Sequence, residues 1–355
     1  MTPMRDDLLL TTAADLDAQR RERREALEAA RDRFPDETAL ARGLASVLRN
    51  EDGRHGFAAL TGRERNPYES TFPSEVVACR LDDGSELRLL CKYGVSFGRP
   101  SHSSRGSTAF ESVVYRKVLQ PLEASSPAYY GDYTDPTSGE TWLVIEYVDG
   151  LRLSKAPQDA VLEAARWIGR LHAAADGLAS NVSADLHVYG AQYYLGWAER
   201  TAIYTRQVRP DLEWVPAVCE RFSDLVPDLL AASQTVIHGE YYPKNILVRG
   251  QRICPVDWQS AAIAAGEVDL ASLTEGHWPE DLVPRCESAY AGARWPGGPP
   301  ASFERSLAAA RLYWPLRWLG ERPERTAGKR RGYFDVLLAA AQRLGLASGG
   351  AQWLR

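Results

Sequence analysis

Residues 236–248, with the sequence VIHGEYYPKNILV, decide the fold of this chain. An apolar segment stands at each end of the stretch, and Gly239 and Pro243 between them are residues typical of a turn. A second hairpin follows and leads to PVDW at residues 255–258. The pattern predicts a β island, residues 235–259, within a region whose apolar residues otherwise recur at helical spacing.

Three polar side chains of the β island carry the oxygen atoms that phosphoryl transfer requires. Glu240 and Asp257 supply carboxylates, and Asn245 supplies an amide between them. A carboxylate can orient an attacking hydroxyl, and amide and carboxylate oxygens can hold Mg²⁺ against the β- and γ-phosphates of a nucleotide. We therefore predict that Glu240, Asn245 and Asp257 are catalytic, with Asn245 and Asp257 as metal ligands.

In this order and strand context, the segment resembles the catalytic loop of the aminoglycoside phosphotransferase and choline kinase-like family. That loop is usually written HGDxxxxN, followed by a strand and DW or DF. The matching positions are His238, Gly239, Glu240, Asn245, Asp257 and Trp258. GEVDLA at residues 266–271 also resembles the family's GxxxDLA element. The chain departs from the pattern at Glu240, where the family has Asp.

The resemblance implies an α+β, bilobal protein-kinase-like fold with a small β-rich N-lobe and a large, mainly helical C-lobe. We expect an N-terminal helical extension (1–56), a nucleotide-binding N-lobe (57–147), and a C-lobe (148–355) with the catalytic loop and the acceptor site. Strands at 76–81 and 86–93 flank the turn DDGS. Apolar periodicity predicts helices near residues 15–33, 37–49, 108–119, 158–175, 193–208, 214–230, 280–291, 303–319 and 333–344.

Further parts of the family's site are expected in the N-lobe. Lys92 is expected to contact the α- and β-phosphates from the end of a strand, with Glu111 on the next helix as its ion-pair partner. The strand that leads to Glu146 and Val148 resembles the hinge between the lobes. The backbone of these two residues would then pair with the adenine edge.

The remaining nucleotide contacts are expected from two loops. The loop at residues 66–74 contains no glycine, so Ser70, Thr71 and nearby amides would substitute as donors to the phosphates. His238 is expected to brace the catalytic turn through hydrogen bonds. Lys244, beside Asn245, either touches the transferred phosphoryl group or faces solvent.

Composition limits the classes of partner. The formal net charge is -5, and no Lys- and Arg-rich tract indicates nucleic acid. The five cysteines are scattered and never form a CxxC pair, which argues against a disulfide framework and a zinc site. We expect no membrane span and no signal peptide, and therefore a cytoplasmic protein. The N-terminal helices could form a homodimer, bind a partner protein, pack on the body or cover a site.

The function predicted from the sequence is an O-phosphotransferase that uses ATP, or another nucleoside triphosphate, with Mg²⁺. Its acceptor would be a hydroxyl of a small molecule or of a peptide intermediate. Because Glu adds one methylene to the usual Asp, a catalytically silent nucleotide-binding or scaffold protein remains an alternative, as does a Ser/Thr kinase of a peptide precursor that acts with partner enzymes. A set of mostly aromatic residues in the helical lobe could either line the acceptor site or pack in the core: Tyr193, Tyr194, Trp197, Arg200, Trp214, Trp278, Trp314 and Trp318.

Overall fold

The N-terminal lobe of the computed structural model is a five-stranded antiparallel sheet in the order β1-β2-β3-β5-β4. The structure describes residues 34–49, 56–68, 72–94, 106–276, 278–323, 326 and 332–347. The strands of this sheet are β1 (Phe57–Arg65), β2 (Ser74–Leu81), β3 (Glu86–Lys92), β4 (Tyr129–Thr134) and β5 (Thr141–Glu146). β3 is the central strand, so the residue at its end, Lys92, lies inside the lobe.

The predicted hairpin between β2 and β3 is confirmed. Gly84 in its turn has a φ of 84°, a left-handed conformation that glycine adopts without strain. Asp83 Oδ1 accepts hydrogen bonds from the Ser85 amide at 2.8 Å and from the Ser85 hydroxyl at 2.7 Å. These local bonds set the register that carries Lys92 to its position opposite Leu143 on β5.

The part of the N-terminal extension that the structure describes packs on this lobe. Helix α1 (Glu37–Val47) matches the second predicted helix, and the Asp36 side chain caps it by accepting from the Ala39 amide at 2.7 Å. Leu40 and Leu44 are buried in one hydrophobic cluster with residues of β2, β3 and β5. The helix predicted at residues 15–33 lies outside the described residues.

The helix predicted at residues 108–119 is present but changes its winding. It begins as α2 (Thr108–Val114), capped by the Ser107 side chain, and continues as a π-helical turn, Tyr115–Leu119. Glu111 lies on the buried face of α2, which packs beside β5. This packing carries the Glu111 carboxylate to the centre of the molecule.

Helices build the C-terminal lobe around a second, larger core. The central helix, α10, is buried on nearly all sides from Leu312 to Gly320 and contains Pro315. The helices of this lobe are α3 (Gln158–Ala175), α4 (Ala179–Val182), α5 (Ala191–Val208), α6 (Trp214–Arg221), α7 (Val226–Ala231), α8 (Glu267–Leu273), α9 (Leu282–Arg294), α10 (Phe303–Glu321) and α11 (Gly332–Arg343). None of the helices in the described part of the chain is long and apolar enough to cross a membrane.

The prediction of one helix at residues 214–230 was wrong. α6 ends at Arg221, a 3₁₀ turn follows at Phe222–Asp224, and α7 begins at Val226. Pro227 lies in the first turn of α7, where its missing N–H is tolerated, whereas inside a continuous helix it would remove a hydrogen bond. Proline therefore restarts the helix here.

The β island forms two small three-stranded sheets inside the helical lobe. β8 (Gln234–Ile237), β9 (Ile246–Arg249) and β10 (Arg252–Pro255) lie in the predicted region; the loop 238–245 connects β8 to β9, and Asp257 follows β10. β11 (Ala262–Ala265), an alanine-rich segment that the sequence analysis did not identify, joins β8 to β7 (His187–Val188). β9 pairs with β10 and with β6 (Leu151–Arg152). The two sheets fix both ends of the loop 238–245.

Candidate active site

The loop between β8 and β9 begins with a backbone that only glycine fits. Gly239 has a φ of 76°, and a Cβ on it would stand 2.0 Å from the Ser260 carbonyl oxygen. The buried Asp269 carboxylate accepts from the Gly239 amide at 2.9 Å and from the His238 amide at 2.6 Å. His172 lies on the other side of Asp269, with Nε2 3.3 Å from Oδ2. Asp269 thus anchors the start of the loop to helix α8.

His238 braces this loop as a neutral imidazole. Its Nε2 donates to the Val256 carbonyl at 3.0 Å, and its Nδ1 accepts from the Glu240 amide at 3.2 Å. Burial lowers the pKa of His238 from its ordinary value of 6.5. The ring therefore connects the catalytic loop to the segment before Asp257 without carrying a charge.

The predicted lysine–glutamate pair is present and extends to the second carboxylate of the motif. Lys92 Nζ lies 2.9 Å from both carboxylate oxygens of Glu111 and 3.0 Å from Asp257 Oδ1. Burial alone would lower the pKa of Lys92, but the two carboxylates raise it above its usual range, so the amine is charged. Glu111 also accepts from the Trp258 amide at 3.0 Å.

Asp257 itself has a left-handed backbone, with φ 72° and ψ 56°. Such a conformation costs a non-glycine residue on the order of 1 kcal/mol and is most often found at functional sites. Gln259 Nε2 donates to Asp257 Oδ1 at 2.6 Å. Backbone and side chain together direct this carboxylate toward Lys92 of the N-terminal lobe.

Asn245 has the orientation expected of a ligand for a hard cation. Its amide nitrogen donates to the Glu240 carbonyl at 3.0 Å, which reserves the amide oxygen as an acceptor. No group of three or more His, Cys, Asp or Glu residues in the described ranges could hold a metal by itself. A site made of one amide and one carboxylate suits Mg²⁺, which usually completes its shell with water and phosphate oxygens.

Arg317 was missed by the sequence analysis and contacts the central residue of the motif. Its Nη2 lies 2.8 Å from Glu240 Oε1, and its Nη1 lies 3.3 Å from the Tyr242 hydroxyl. The side chains of Arg317 and Glu240 are only 3% and 5% exposed. In the sequence, the only signal was that Arg317 is the one charged residue in the apolar stretch 312–320, between Trp314 and Trp318.

The other predicted site residues lie farther from this centre. The Glu146 amide donates to the Ala128 carbonyl at 2.8 Å, and its carboxylate accepts from Arg252 at 3.0 Å. Val148 is buried just after β5. The backbone pairing of Glu146 and Val148 with adenine stays a prediction, while Ser70 and Thr71 lie outside the described residues.

Lys244 is exposed and lies over two aromatic rings. Its Nζ is 5.1 Å from the ring centroid of Tyr242 and 5.5 Å from that of Trp318. Trp318 in turn stacks on Tyr333 with centroids 5.5 Å apart. Glu275 was also missed by the sequence analysis. Burial raises its pKa to about 7, although the positive charges of Arg317 and Lys244 act to lower it.

Most of the aromatic residues considered for the acceptor site serve the core. Tyr194 and Trp197 are fully buried, and Trp314 is 1% exposed. Trp214 and Trp278 are partly buried and pack against the same core. The Arg200 Nε donates to the Gly320 carbonyl at 2.9 Å, so this residue joins α5 to α10. Trp318, also of this set, lies beneath the Lys244 ammonium.

Comparison with known proteins gives a family match and a consistent set of folds. A model of the APH phosphotransferase enzyme family matches residues 92–303, more than half of the chain. No curated protein matches the sequence. The solved structure of aminoglycoside 2'-phosphotransferase-IIIa with GDP is 12% identical, with a TM-score of 0.56, covering 87% of this chain and 100% of that one.

Two further solved structures come from bacteria. A macrolide 2'-phosphotransferase from Brachybacterium faecium is 20% identical, with a TM-score of 0.51, and covers 89% of this chain and 99% of that one. A choline kinase from Streptococcus pneumoniae is 15% identical, with a TM-score of 0.53, and covers 81% and 94%. At these identities the structures show a shared kinase-like fold and leave the acceptor open.

Proposed function

Because the chain belongs to the phosphotransferase enzyme family, we propose that it transfers the γ-phosphate of ATP to a hydroxyl group with the help of Mg²⁺. The observation that carries this proposal is the Lys92 ammonium, which bridges Glu111 at 2.9 Å and Asp257 at 3.0 Å. A lysine held between a helix of one lobe and a carboxylate of the other is the arrangement that active kinases use.

Each residue has a definite task in the proposed reaction. Lys92 would bind phosphate oxygens of the nucleotide from the floor of the cleft. Asn245 and Asp257 would hold Mg²⁺, which when bound neutralises the charge on the phosphates. Glu240 would orient the acceptor hydroxyl and take its proton as the new O–P bond forms and the bond to the β-phosphate breaks. Gln259 and Glu111 would hold Asp257 and Lys92 in these positions.

For the acceptor, we propose a hydroxyl compound that carries no cationic group beside the transferred hydroxyl. The neighbours phosphorylate aminoglycosides, macrolides or choline, judging by their names. Cations bind well to aromatic faces. Here the ammonium of Lys244 already lies over the rings of Tyr242 and Trp318, and Arg317 Nη1 lies 3.3 Å from the Tyr242 hydroxyl.

The test is incubation of the protein with MgATP and a panel of acceptors, followed by mass spectrometry for the gain of one phosphoryl group. The panel contains choline, an aminoglycoside, a macrolide, neutral and acidic hydroxyl compounds, and a Ser-containing peptide. We expect transfer to a neutral or acidic compound. Transfer to choline or to the aminoglycoside alone would refute the proposed acceptor class, and transfer to the peptide alone would favour the peptide-kinase alternative.

A variant tests the assigned site, and the wild-type protein distinguishes transfer from silent binding. Asp257→Ala should lose both Mg²⁺-dependent ATP binding and turnover, whereas the exposed Asp224→Ala should retain both. If wild-type protein binds MgATP and releases no ADP with any acceptor, the chain is a silent nucleotide-binding protein. Normal turnover by Asp257→Ala would refute the assigned site.

A further inference from the structure

We propose that Arg317 is a positioning residue, which sets the reach of the Glu240 carboxylate toward the acceptor hydroxyl. This inference rests on the proposed phosphotransferase function and concerns the same site. Arg317 Nη2 lies 2.8 Å from Glu240 Oε1 in a contact that is almost fully shielded from water. A charge-assisted bond of this kind has a defined length and direction.

The arginine is itself held rigidly. Thr201 on α5 donates to the Leu316 carbonyl at 2.6 Å, and a Cβ at Gly320 would stand 2.8 Å from the Trp197 carbonyl oxygen. α10 and α5 therefore pack closely on both sides of Arg317. Its guanidinium carbon also lies 5.2 Å from the ring centroid of Trp314. A fixed donor on a fixed helix can determine where a flexible glutamate places its oxygens.

Stability alone does not account for this arginine. A buried ion pair is often no more stabilising than well-packed apolar residues, because both charges must leave water. The Arg317 Nε–H adds to that cost, since among the described residues this buried donor has no hydrogen-bond partner. Residues kept at a cost to stability are expected at functional sites. The contact with Glu240 identifies which function is served.

The pair also explains how glutamate can stand where the family has aspartate. The additional methylene gives the carboxylate a longer and more mobile arm, and a misplacement of about 1 Å can lower a rate by about 100-fold. With the carboxylate held by Arg317, we assign the proton of the acceptor hydroxyl to Glu240. The hydroxyl oxygen forms its bond to the γ-phosphorus, ADP leaves with the electrons of the broken bond, and Glu240 keeps the proton.

The experiment measures phosphate release from MgATP by the full-length chain with water as the acceptor. Arg317→Met should lower kcat by about 100-fold and leave the KM for ATP nearly unchanged, because the contacts of Lys92 with the nucleotide are intact. Arg317→Lys should recover part of the loss, since lysine restores the charge without the planar fork. Arg311→Met is the matched control, because Arg311 lies on the same helix and pairs with Glu287.

A double-variant cycle distinguishes positioning from a general effect on folding. Glu240→Gln should lose most of kcat, and Glu240→Gln combined with Arg317→Met should lose no more. That double variant removes both buried charges, so it also serves if Arg317→Met alone fails to fold. MgATP affinity verifies the fold of each variant.

Two results would overturn the role of Arg317 alone: an Arg317→Met enzyme with the wild-type kcat, or a double variant whose loss is the product of the two single losses. Wild-type protein that binds MgATP and transfers phosphate neither to water nor to any acceptor of the panel would instead refute the proposed function, and the role of Arg317 with it. A normal kcat in Glu240→Gln would also refute the assignment of Glu240, whatever Arg317 does.

Discussion

Replacing Asp269 with asparagine removes the charge that anchors the catalytic loop. Asp269 is fully buried, and its two oxygens accept the His238 amide at 2.6 Å and the Gly239 amide at 2.9 Å. Hydrogen bonds to a charged group are worth about 1.5–3 kcal/mol each. In asparagine one oxygen becomes an NH₂ donor that faces an amide donor, and the other forms a weaker neutral bond.

We therefore expect Asp269→Asn to lower the free energy of unfolding by about 3 kcal/mol, which corresponds to the loss of one charged hydrogen bond and the weakening of the other. For a chain of 355 residues, an unfolding entropy of about 2.1 cal/mol/K per residue converts this loss into a fall of roughly 4 °C in melting temperature. The catalytic loop should also shift, and a displacement of about 1 Å would lower kcat by about 100-fold. The perturbation thus affects stability and catalysis through one contact.

Circular dichroism during heating gives the melting temperature, and phosphate release from MgATP gives kcat. Asp224→Asn is the control, because this carboxylate is exposed in the 3₁₀ turn before α7. If Asp269→Asn has the same melting temperature as the control, the argument that Asp269 anchors the loop is refuted. A protein that melts lower but keeps its kcat would show that Asp269 stabilises the lobe without positioning the loop.

Three further variants test other parts of the reasoning. Gly239→Ala should fold poorly or lose more than about 3 kcal/mol, because its methyl would meet the Ser260 carbonyl at 2.0 Å; a normal urea-unfolding midpoint would contradict this. Glu111→Gln should lower kcat/KM for ATP by about 10- to 100-fold by weakening its bond to Lys92, and unchanged kinetics would contradict the assigned pair. Burial lowers the pKa of His172 below 6.5, so as the pH falls the unfolded chain takes up this proton before the folded chain does, and stability should decrease below about pH 6.5. His172→Gln should reduce that decrease when the free energy of unfolding in urea is measured against pH. An unaltered pH profile would assign the decrease to other groups.

The sequence was informative where the site is local in the chain. The loop from His238 to Asn245 connects consecutive strands, so residues that are close in the sequence are also close in the structure. Lys92 and Glu111 could also be predicted, because one ends a strand and the other lies on the next helix. The same locality made the β2–β3 hairpin predictable from its turn residues.

The sequence was least informative where the site depends on packing between distant helices. Arg317 follows Glu240 by 77 residues, and no spacing rule connects a helix in the C-lobe with a particular atom of the loop. β11 was missed because three of its four residues are alanines, which lack the size and branching that indicate a strand. The break between α6 and α7 was missed because the apolar period continues through it, and only Pro227 marks the new start.

The glutamate in the motif and the arginine on α10 are best understood as one feature. An aspartate at position 240 would carry its oxygens roughly 1–1.5 Å closer to the loop backbone, and the 2.8 Å contact with Arg317 would open unless the loop moved. The loop is not free to move, since Asp269 binds its first two amides and Asn245 binds the Glu240 carbonyl at 3.0 Å. With both the backbone and the guanidinium fixed, the longer side chain is the one that spans the distance. Glutamate at position 240 therefore fits the distance between the loop backbone and Arg317. We infer that this departure from the family's pattern preserves the position of the carboxylate.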